Sequence, residues 1–476
     1  MTDKARLAGF PVTFGTSGAR GLVTDLTDAY CRTFTQAFLS VFEPGQTQLL
    51  VGRDLRSSSP GIAAACMAAA EAAGVACIDA GAVPTPALAL AAQDLGLPAL
   101  MVTGSHIPAD RNGIKAYRPQ GEITKADEQS MLAAEVEAAP SSWPNRATAP
   151  DSTILRRYID RYTSAFAPDA LAGLRVGVYE HSTVARDVLH EVLQALGAAS
   201  VALGRSAEFV PVDTEAIRPE DRSLAKGWAA SMTLDAIVSA DGDADRPLIA
   251  DETGTWLRGD MLGILCASEL GANTVVTPVS STTALEACGR FNHIIRTRIG
   301  SPHVIAAMAG TGVQHPVVGY EANGGFLLGS EVQLERGLLA PLVTRDALLP
   351  VLLVLSMARR QGMRLSQLVA SLPARVTHSD RLQHVAPDAV RKLLPQLDGD
   401  ADLLCRMLAP GSGGIAGINR IDGLRVSFAN GDIVHLRASG NAPELRCYAE
   451  AASAARAEAL CLGCLGRIAE LLILRA

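Results

Sequence analysis

Leu49-Leu-Val-Gly-Arg-Asp54 runs through Ser57-Ser-Ser-Pro60 into the alanine-rich stretch Gly61 to Ala73, and a second apolar run, Gly74 to Ala80, follows. The same order returns from Leu174 to Tyr179, through His181-Ser-Thr183 and Val184 to Ala198, to Ser200–Gly204. It returns again at Thr274 to Thr277, through Ser280-Ser-Thr-Thr283 and Ala284 to Phe291, to His293–Arg298. An apolar run, hydroxyl residues able to cap a helix, a helix-forming stretch and a second apolar run make the βαβ signature. Three copies predict three related mixed α/β domains. Beyond about residue 372 the rhythm changes: Ile421 to Phe428 and Asp432 to Leu436 flank Ala429-Asn-Gly431, a hairpin signal, and an Ala/Leu-rich helix closes the chain. The expected fold class is α/β, with three βαβ-type domains followed by a smaller C-terminal α+β domain.

Breaks between these units suggest boundaries. Ala138-Ala-Pro-Ser-Ser-Trp-Pro-Asn145 has linker composition, Asp251-Glu-Thr-Gly254 is a turn, and Gln361 to Ser371 leads into the last unit. The expected domains are residues 1–145, 146–252, 253–368 and 369–476. A chain of 476 residues with 48% hydrophobic and 19% charged content suits several packed cores. A net charge of −7 argues against a polyanionic partner such as nucleic acid. Met1 to Phe10 lacks a secretory pattern, and the most apolar window, Leu348 to Ala358, falls short of the roughly 20 residues that cross a bilayer. That window reads as a buried helix. Nine cysteines, an odd number, favour reduced thiols and a cytoplasmic location; Cys461-Leu-Gly-Cys464 has zinc spacing but no second pair, and reads as packing.

Four polar loops follow strand-like runs, where ligand loops of such sheets belong. Thr103-Gly104-Ser105-His106-Ile107-Pro108 presents a serine hydroxyl in a tight turn, a candidate phosphorylation site or a turn serine bonded to local backbone. Asp241-Gly242-Asp243-Ala244-Asp245-Arg246 places three carboxylates at alternate positions, a hard oxygen set suited to Mg²⁺, beside an arginine suited to phosphate. The alternative is a solvated acidic loop. Glu321-Ala322-Asn323 in a glycine-rich loop could bracket sugar hydroxyls, and Arg437-Ala-Ser439-Gly440-Asn441-Ala-Pro-Glu-Leu-Arg446 could cradle a phosphate.

Together and in this order, the four loops resemble the α-D-phosphohexomutase superfamily, over nearly the whole chain from Phe14-Gly15-Thr16-Ser17-Gly18-Ala19-Arg20-Gly21 to Arg446. One departure is Asn323 where many members carry serine. The resemblance implies four domains around a central cleft, each supplying one loop. It implies an enzyme that moves a phosphoryl group between the 6- and 1-positions of a hexose phosphate through phosphorylated Ser105 and a hexose 1,6-bisphosphate. Mg²⁺ would be held by Ser105, Asp241, Asp243 and Asp245, with Arg20 and Arg246 on the transferring group. Lys115 would act as general acid/base if its pKa is lowered, or else only pair with phosphate. Glu321, Asn323 and His303 would contact the sugar, and Arg437, Ser439, Gly440, Asn441 and Arg446 the distal phosphate. His106 is expected to point away from Ser105 and support the loop. The loop wording is most similar to bacterial phosphomannomutases, with phosphoglucomutases and phosphoglucosamine mutases as alternatives, and such an enzyme would work as a monomer or homodimer.

Other classes stay open. An Asp-x-Asp after a strand also suits a Mg²⁺-dependent phosphatase in which Asp241 is the nucleophile. A non-catalytic sugar-phosphate binding protein would keep the loops without turnover.

Overall fold

The computed structural model describes residues 4–15, 18–41, 46–137, 149–312, 316–439 and 443–473. The linker read at residues 138–145, together with Thr16, Ser17, Gly440 and Asn441, lies outside the described residues.

The three sequence repeats become three sheets of one pattern. In each, a central parallel strand has its successor on one side and the third strand on the other. Strand Gln48–Arg53 pairs with Ala76–Ala82 and Ala99–Val102. Strand Arg175–His181 pairs with Ala199–Arg205 and Ala236–Ala240. Strand Thr274–Pro278 pairs with His293–Thr297 and Val317–Tyr320. The third strand then turns back into an antiparallel neighbour: Arg111–Arg118, Pro247–Ala250 or Phe326–Leu328. The serine loop, the triple-Asp loop and the Glu321 loop are therefore the same connection in three copies.

Helix lengths follow local signals. Helix Ser59–Ala72 begins with proline in its first turn, but the expected hydroxyl cap does not form, since the Ser58 side chain makes no capping bond. The helix expected from Ala284 to Phe291 covers only Ala284–Ala287, because Gly289 turns left-handed at φ +63° and ends it. Leu348–Gln361 is the buried helix read from its apolar window. Among the described residues, no helix is long and apolar enough to cross a membrane.

The C-terminal unit is a five-stranded antiparallel sheet that includes the expected hairpin, Leu424–Phe428 with Ile433–Ala438, covered by helix Ala454–Ile473. One apolar cluster runs continuously through the sheets of the three α/β units, whereas the C-terminal unit has its own core, including Leu436, Cys461 and Cys464. Cys461 and Cys464 are fully buried there, as packing residues.

Two histidines make stability acid-sensitive. Burial pulls His181 and His435 down to about 4, against a backbone carbonyl contact that raises each. An unfolded histidine titrates near 6.5, so the unfolded chain binds more protons between about pH 6.5 and 4. Their stabilisation is complete above that window and declines as the pH falls through it, on the order of 3 kcal/mol for each residue. Urea midpoints should fall steeply from pH 7 to 4.5, and the variant carrying His181→Gln and His435→Gln should show a shallower slope. An unchanged slope would assign the acid sensitivity elsewhere.

Candidate active site

The serine loop is held from below by a residue outside every motif. Arg56 is almost wholly buried and donates to the carbonyls of Ser105 (3.0 Å), Ile107 (2.6 Å), Pro108 (2.7 Å) and Arg111 (3.0 Å). Asp54 holds Arg56 by a 3.2 Å pair and also accepts from Thr103 Oγ1 at 2.8 Å. Gly104 is required because a Cβ there would lie 2.7 Å from Arg56 Cζ. The loop then turns at Ser105, in the left-handed region at φ +53°. Such a conformation costs of order 1–3 kcal/mol in a non-glycine residue and persists only where the surroundings enforce it. Removing Arg56 leaves Asp54 as an uncompensated buried charge. Arg56→Met should cost about 3–5 kcal/mol, read from urea unfolding. A loss under 1 kcal/mol would show that the loop does not depend on it.

Ser105 Oγ donates to Asp241 Oδ2 at 2.5 Å, bridging the first and second repeats. His106 does not point away as expected: its Nδ1 lies 3.3 Å from Ser105 Oγ. Burial, then Arg246 and Arg20, pull its pKa well below the usual value, so the ring is neutral.

Asp241, Asp243 and Asp245 converge on one buried point, with one ligand oxygen from each within 4.8 Å of the others. Ala244 makes this possible by turning left-handed at φ +58° between two aspartates. Among the described residues, no other group of three His, Cys, Asp or Glu side chains converges in this way, which includes the cysteines of the last helix. Asp241 Oδ1 accepts from the N–H groups of Asp245 (3.1 Å) and Arg246 (3.2 Å). Asp243 Oδ2 accepts from Thr85 Oγ1 at 2.6 Å and Lys115 Nζ at 2.7 Å. Asp243 Oδ1 and Asp245 Oδ1 are buried without a hydrogen-bond partner. Orphaned carboxylate oxygens of this kind are costly unless a cation takes them, so the donor set fits a hard divalent ion.

Burial, then Asp243 and Asp245, raise Asp241 well above the usual carboxylate range. Burial would also raise Asp245, but Arg345, Lys115 and Arg246 outweigh it and hold its pKa low. Lys115 bridges Asp243 and Asp245 at 2.7 and 2.6 Å. Burial lowers its pKa, yet the two carboxylates prevail and raise it. In this arrangement Lys115 keeps its proton.

Arg246 lies 3.9 Å from Asp241 and 3.6 Å from Asp245, and its buried Nε has no hydrogen-bond partner. Arg20 faces Arg246, Arg345, Asp243 and Asp245, and burial followed by the two arginines pulls it down to about 10, still charged. Four cations, Arg20, Lys115, Arg246 and Arg345, thus surround the three carboxylates, and Arg345 is shared with the Glu321 carboxylate. A divalent ion on the triad would add the positive charge that suits a further anion beside Ser105.

The third loop meets this cluster through Arg345, which bonds both Asp245 (2.6 Å) and Glu321 (3.1 Å). Asn323 Oδ1 accepts from the N–H of Gly325 at 2.9 Å, and its carbonyl accepts from Thr214 Oγ1 at 2.6 Å. The Asn323 amide nitrogen has no such engagement among the described residues and can serve as a donor. His303 lies in the first turn of helix Ser301–Ala309, where burial and then Arg298 lower its pKa.

Arg437 and Arg446 stand directly opposite each other on adjacent strands of the C-terminal sheet. Arg437 is 3.4 Å from Asp422, and Arg446 is 3.5 Å from Glu444. Ser439 closes the same hairpin, its N–H donating to Glu444 O at 2.9 Å. Among the described residues, neither Arg437 nor Arg446 pairs with a carboxylate of the triad cluster. Glu215 links the two sides electrostatically, being felt by Arg446 and Tyr448 and itself influenced by Arg246. Arg56, Thr85, Glu215 and Arg345 were not found in the sequence. For Arg56 a signal existed, since charged Arg53-Asp54-Leu55-Arg56 directly follows a buried strand.

Four domain families match in succession, each described as phosphoglucomutase/phosphomannomutase: alpha/beta/alpha domain I at residues 11–142, domain II at 156–254, domain III at 258–376 and the C-terminal domain at 374–462. A phosphomannomutase of Salmonella muenchen is 47% identical, covering 93% of this chain and 92% of the relative. A phosphomannomutase of Sinorhizobium fredii is 45% identical over 92% of this chain and 94% of its own. A crystal structure of a phosphoglucomutase/phosphomannomutase family protein from Burkholderia thailandensis superposes with a TM-score of 0.74 at 23% identity, covering 94% of both chains. With four consecutive domain matches arranged around this serine and triad, the chain belongs to the phosphoglucomutase/phosphomannomutase family.

Proposed function

We propose that this protein is a phosphomannomutase that interconverts mannose 6-phosphate and mannose 1-phosphate. The observation that carries the proposal is the convergence of the Ser105 hydroxyl on the buried carboxylate triad, with Lys115 and Arg246 beside it. The relatives named above, phosphomannomutases at 45% and 47% identity, support mannose over other hexoses. Each of four domains, residues 1–145, 146–252, 253–368 and 369–476, contributes one loop.

Phosphorylated Ser105 gives its phosphoryl group to the free hydroxyl of the hexose phosphate. The P–Oγ bond breaks, a new P–O bond forms to the sugar oxygen, and the hydroxyl proton passes to a base. The product is a hexose 1,6-bisphosphate, which reverses end for end and returns its other phosphoryl group to Ser105. Arg20 and Arg246 hold the transferring group, and their charge disperses what builds up on its oxygens. Asp241, Asp243 and Asp245, with Ser105, would hold Mg²⁺, which would supply further stabilisation of that charge. Lys115 can act as that base only after giving up the proton that Asp243 and Asp245 hold on it in this arrangement; with the proton kept, it pairs with the phosphoryl group. Glu321, the Asn323 amide and His303 read the ring, while Arg437, Ser439, Gly440, Asn441 and Arg446 take the phosphate at rest. Ser105 is fully buried in this arrangement.

The phosphatase alternative fits less well. A nucleophilic Asp241 needs a free oxygen, yet Oδ1 accepts two backbone N–H groups and Oδ2 the Ser105 hydroxyl. Phosphorus NMR of the protein with Mg²⁺, a trace of hexose 1,6-bisphosphate and either mannose 6-phosphate or glucose 6-phosphate tests the reading. A sugar 1-phosphate signal, faster from mannose, is expected. Inorganic phosphate alone would overturn it.

A further inference from the structure

Arg345 belongs to none of the four loops, yet it joins two of them. It sits on strand Leu342–Asp346, whose end is anchored: Asp346 accepts from the hydroxyls of Tyr158 and Tyr162 and from the N–H of Leu348. With 3% of its side chain exposed, Arg345 divides its fork between two carboxylates from different units. Nη2 donates to Asp245 Oδ2 at 2.6 Å and Nη1 to Glu321 Oε2 at 3.1 Å. Its stem crosses Gly325 so closely that a Cβ there would lie 2.5 Å from Cδ and 2.8 Å from Cγ. Among the described residues, no other side chain hydrogen-bonds or pairs with the Glu321 carboxylate.

We propose that Arg345 is a positioning residue that sets Glu321 at a fixed place relative to the carboxylate triad, and so registers the sugar ring against Ser105. This rests on the hexose phosphate reading above. A glutamate on a loop samples several rotamers, and ordering it on substrate binding would cost free energy. Arg345 orders it beforehand, on a strand anchored independently of the loop. The planar fork holds the two carboxylates on separate nitrogens at a fixed angle, whereas a lysine ammonium gathers its carboxylates at one point, as Lys115 does with Asp243 and Asp245. Registration matters because an error of about 1 Å at the reacting atoms can cost 10²-fold in rate. The bisphosphate must find the same register in both orientations.

The test is a double-mutant cycle between Arg345→Met and Glu321→Gln. The readouts are kcat/KM and mannose 6-phosphate affinity, the latter by titration calorimetry without divalent cation. Arg345→Met alone should lower kcat/KM by roughly 10²-fold and weaken binding about tenfold. In the Glu321→Gln background the same change should add less than about threefold, because the residue acts through Glu321. Arg345→Lys should not rescue. Gly325→Ala, which keeps every charge and has no left-handed φ to lose, should displace the stem and reproduce the loss. It keeps the test available if Arg345→Met fails to fold. Multiplicative effects in the cycle, or a Gly325→Ala enzyme with unchanged kcat/KM, would overturn the proposal. Failure of the functional reading is separate, since the unaltered protein would then not interconvert hexose phosphates at all.

Discussion

Ser105→Ala is expected to abolish interconversion of mannose 6-phosphate and mannose 1-phosphate, by roughly 10⁴-fold or more in kcat, as loss of a covalent nucleophile does. Intact-mass measurement after incubation with hexose 1,6-bisphosphate should show one phosphoryl group on the unaltered chain and none on the variant. The fold should survive, because the loop is held through backbone carbonyls by Arg56 and does not rely on the serine side chain. What the variant loses is the 2.5 Å contact with Asp241, which leaves that carboxylate one partner short. Divalent binding to the triad should therefore persist. Full mutase activity in Ser105→Ala would end the phosphoserine mechanism.

Asp243→Asn is expected to reduce kcat by on the order of 10³-fold, the scale on which removal of one element of electrostatic stabilisation is felt. Asp243 is the informative member of the triad. Its Oδ1 is buried with no partner, while Oδ2 takes Thr85 and Lys115, so the charge is held at a cost that a bound cation would offset. Asparagine keeps the shape and removes the charge. Lys115 retains Asp245 as a partner, and so the site should not collapse. Asp245→Asn, by contrast, deprives both Lys115 and Arg345 of a carboxylate and should unfold more readily. The measurements are activity against Mg²⁺ concentration and Mn²⁺ binding by electron paramagnetic resonance. Unchanged Mn²⁺ affinity in Asp243→Asn would remove it from the ligand set.

Lys115 shows how far a motif can carry a role. Its place beside the serine loop was legible, and so was the requirement that a base have a lowered pKa. Its protonation was not, because that depends on Asp243 and Asp245, 128 and 130 residues away in sequence. His106 gives the converse. Adjacent side chains on an extended chain point apart, but the left-handed turn at Ser105 brings the imidazole toward the hydroxyl instead.

The sequence by itself determined the three α/β units, the antiparallel C-terminal sheet and the loops in which chemistry would lie. Those features rest on local causes: apolar runs of strand length, hydroxyl and proline starts to helices, and glycines at turns act on residues next to them in the chain. Only the tertiary structure decided that the same connection in each repeat faces a common point, that Arg56 underpins the serine loop, and that Arg345 ties Glu321 to Asp245. These are through-space relations. The energy of an ion pair, and the proton it holds or releases, depends on distance and burial, and spacing along the chain specifies neither.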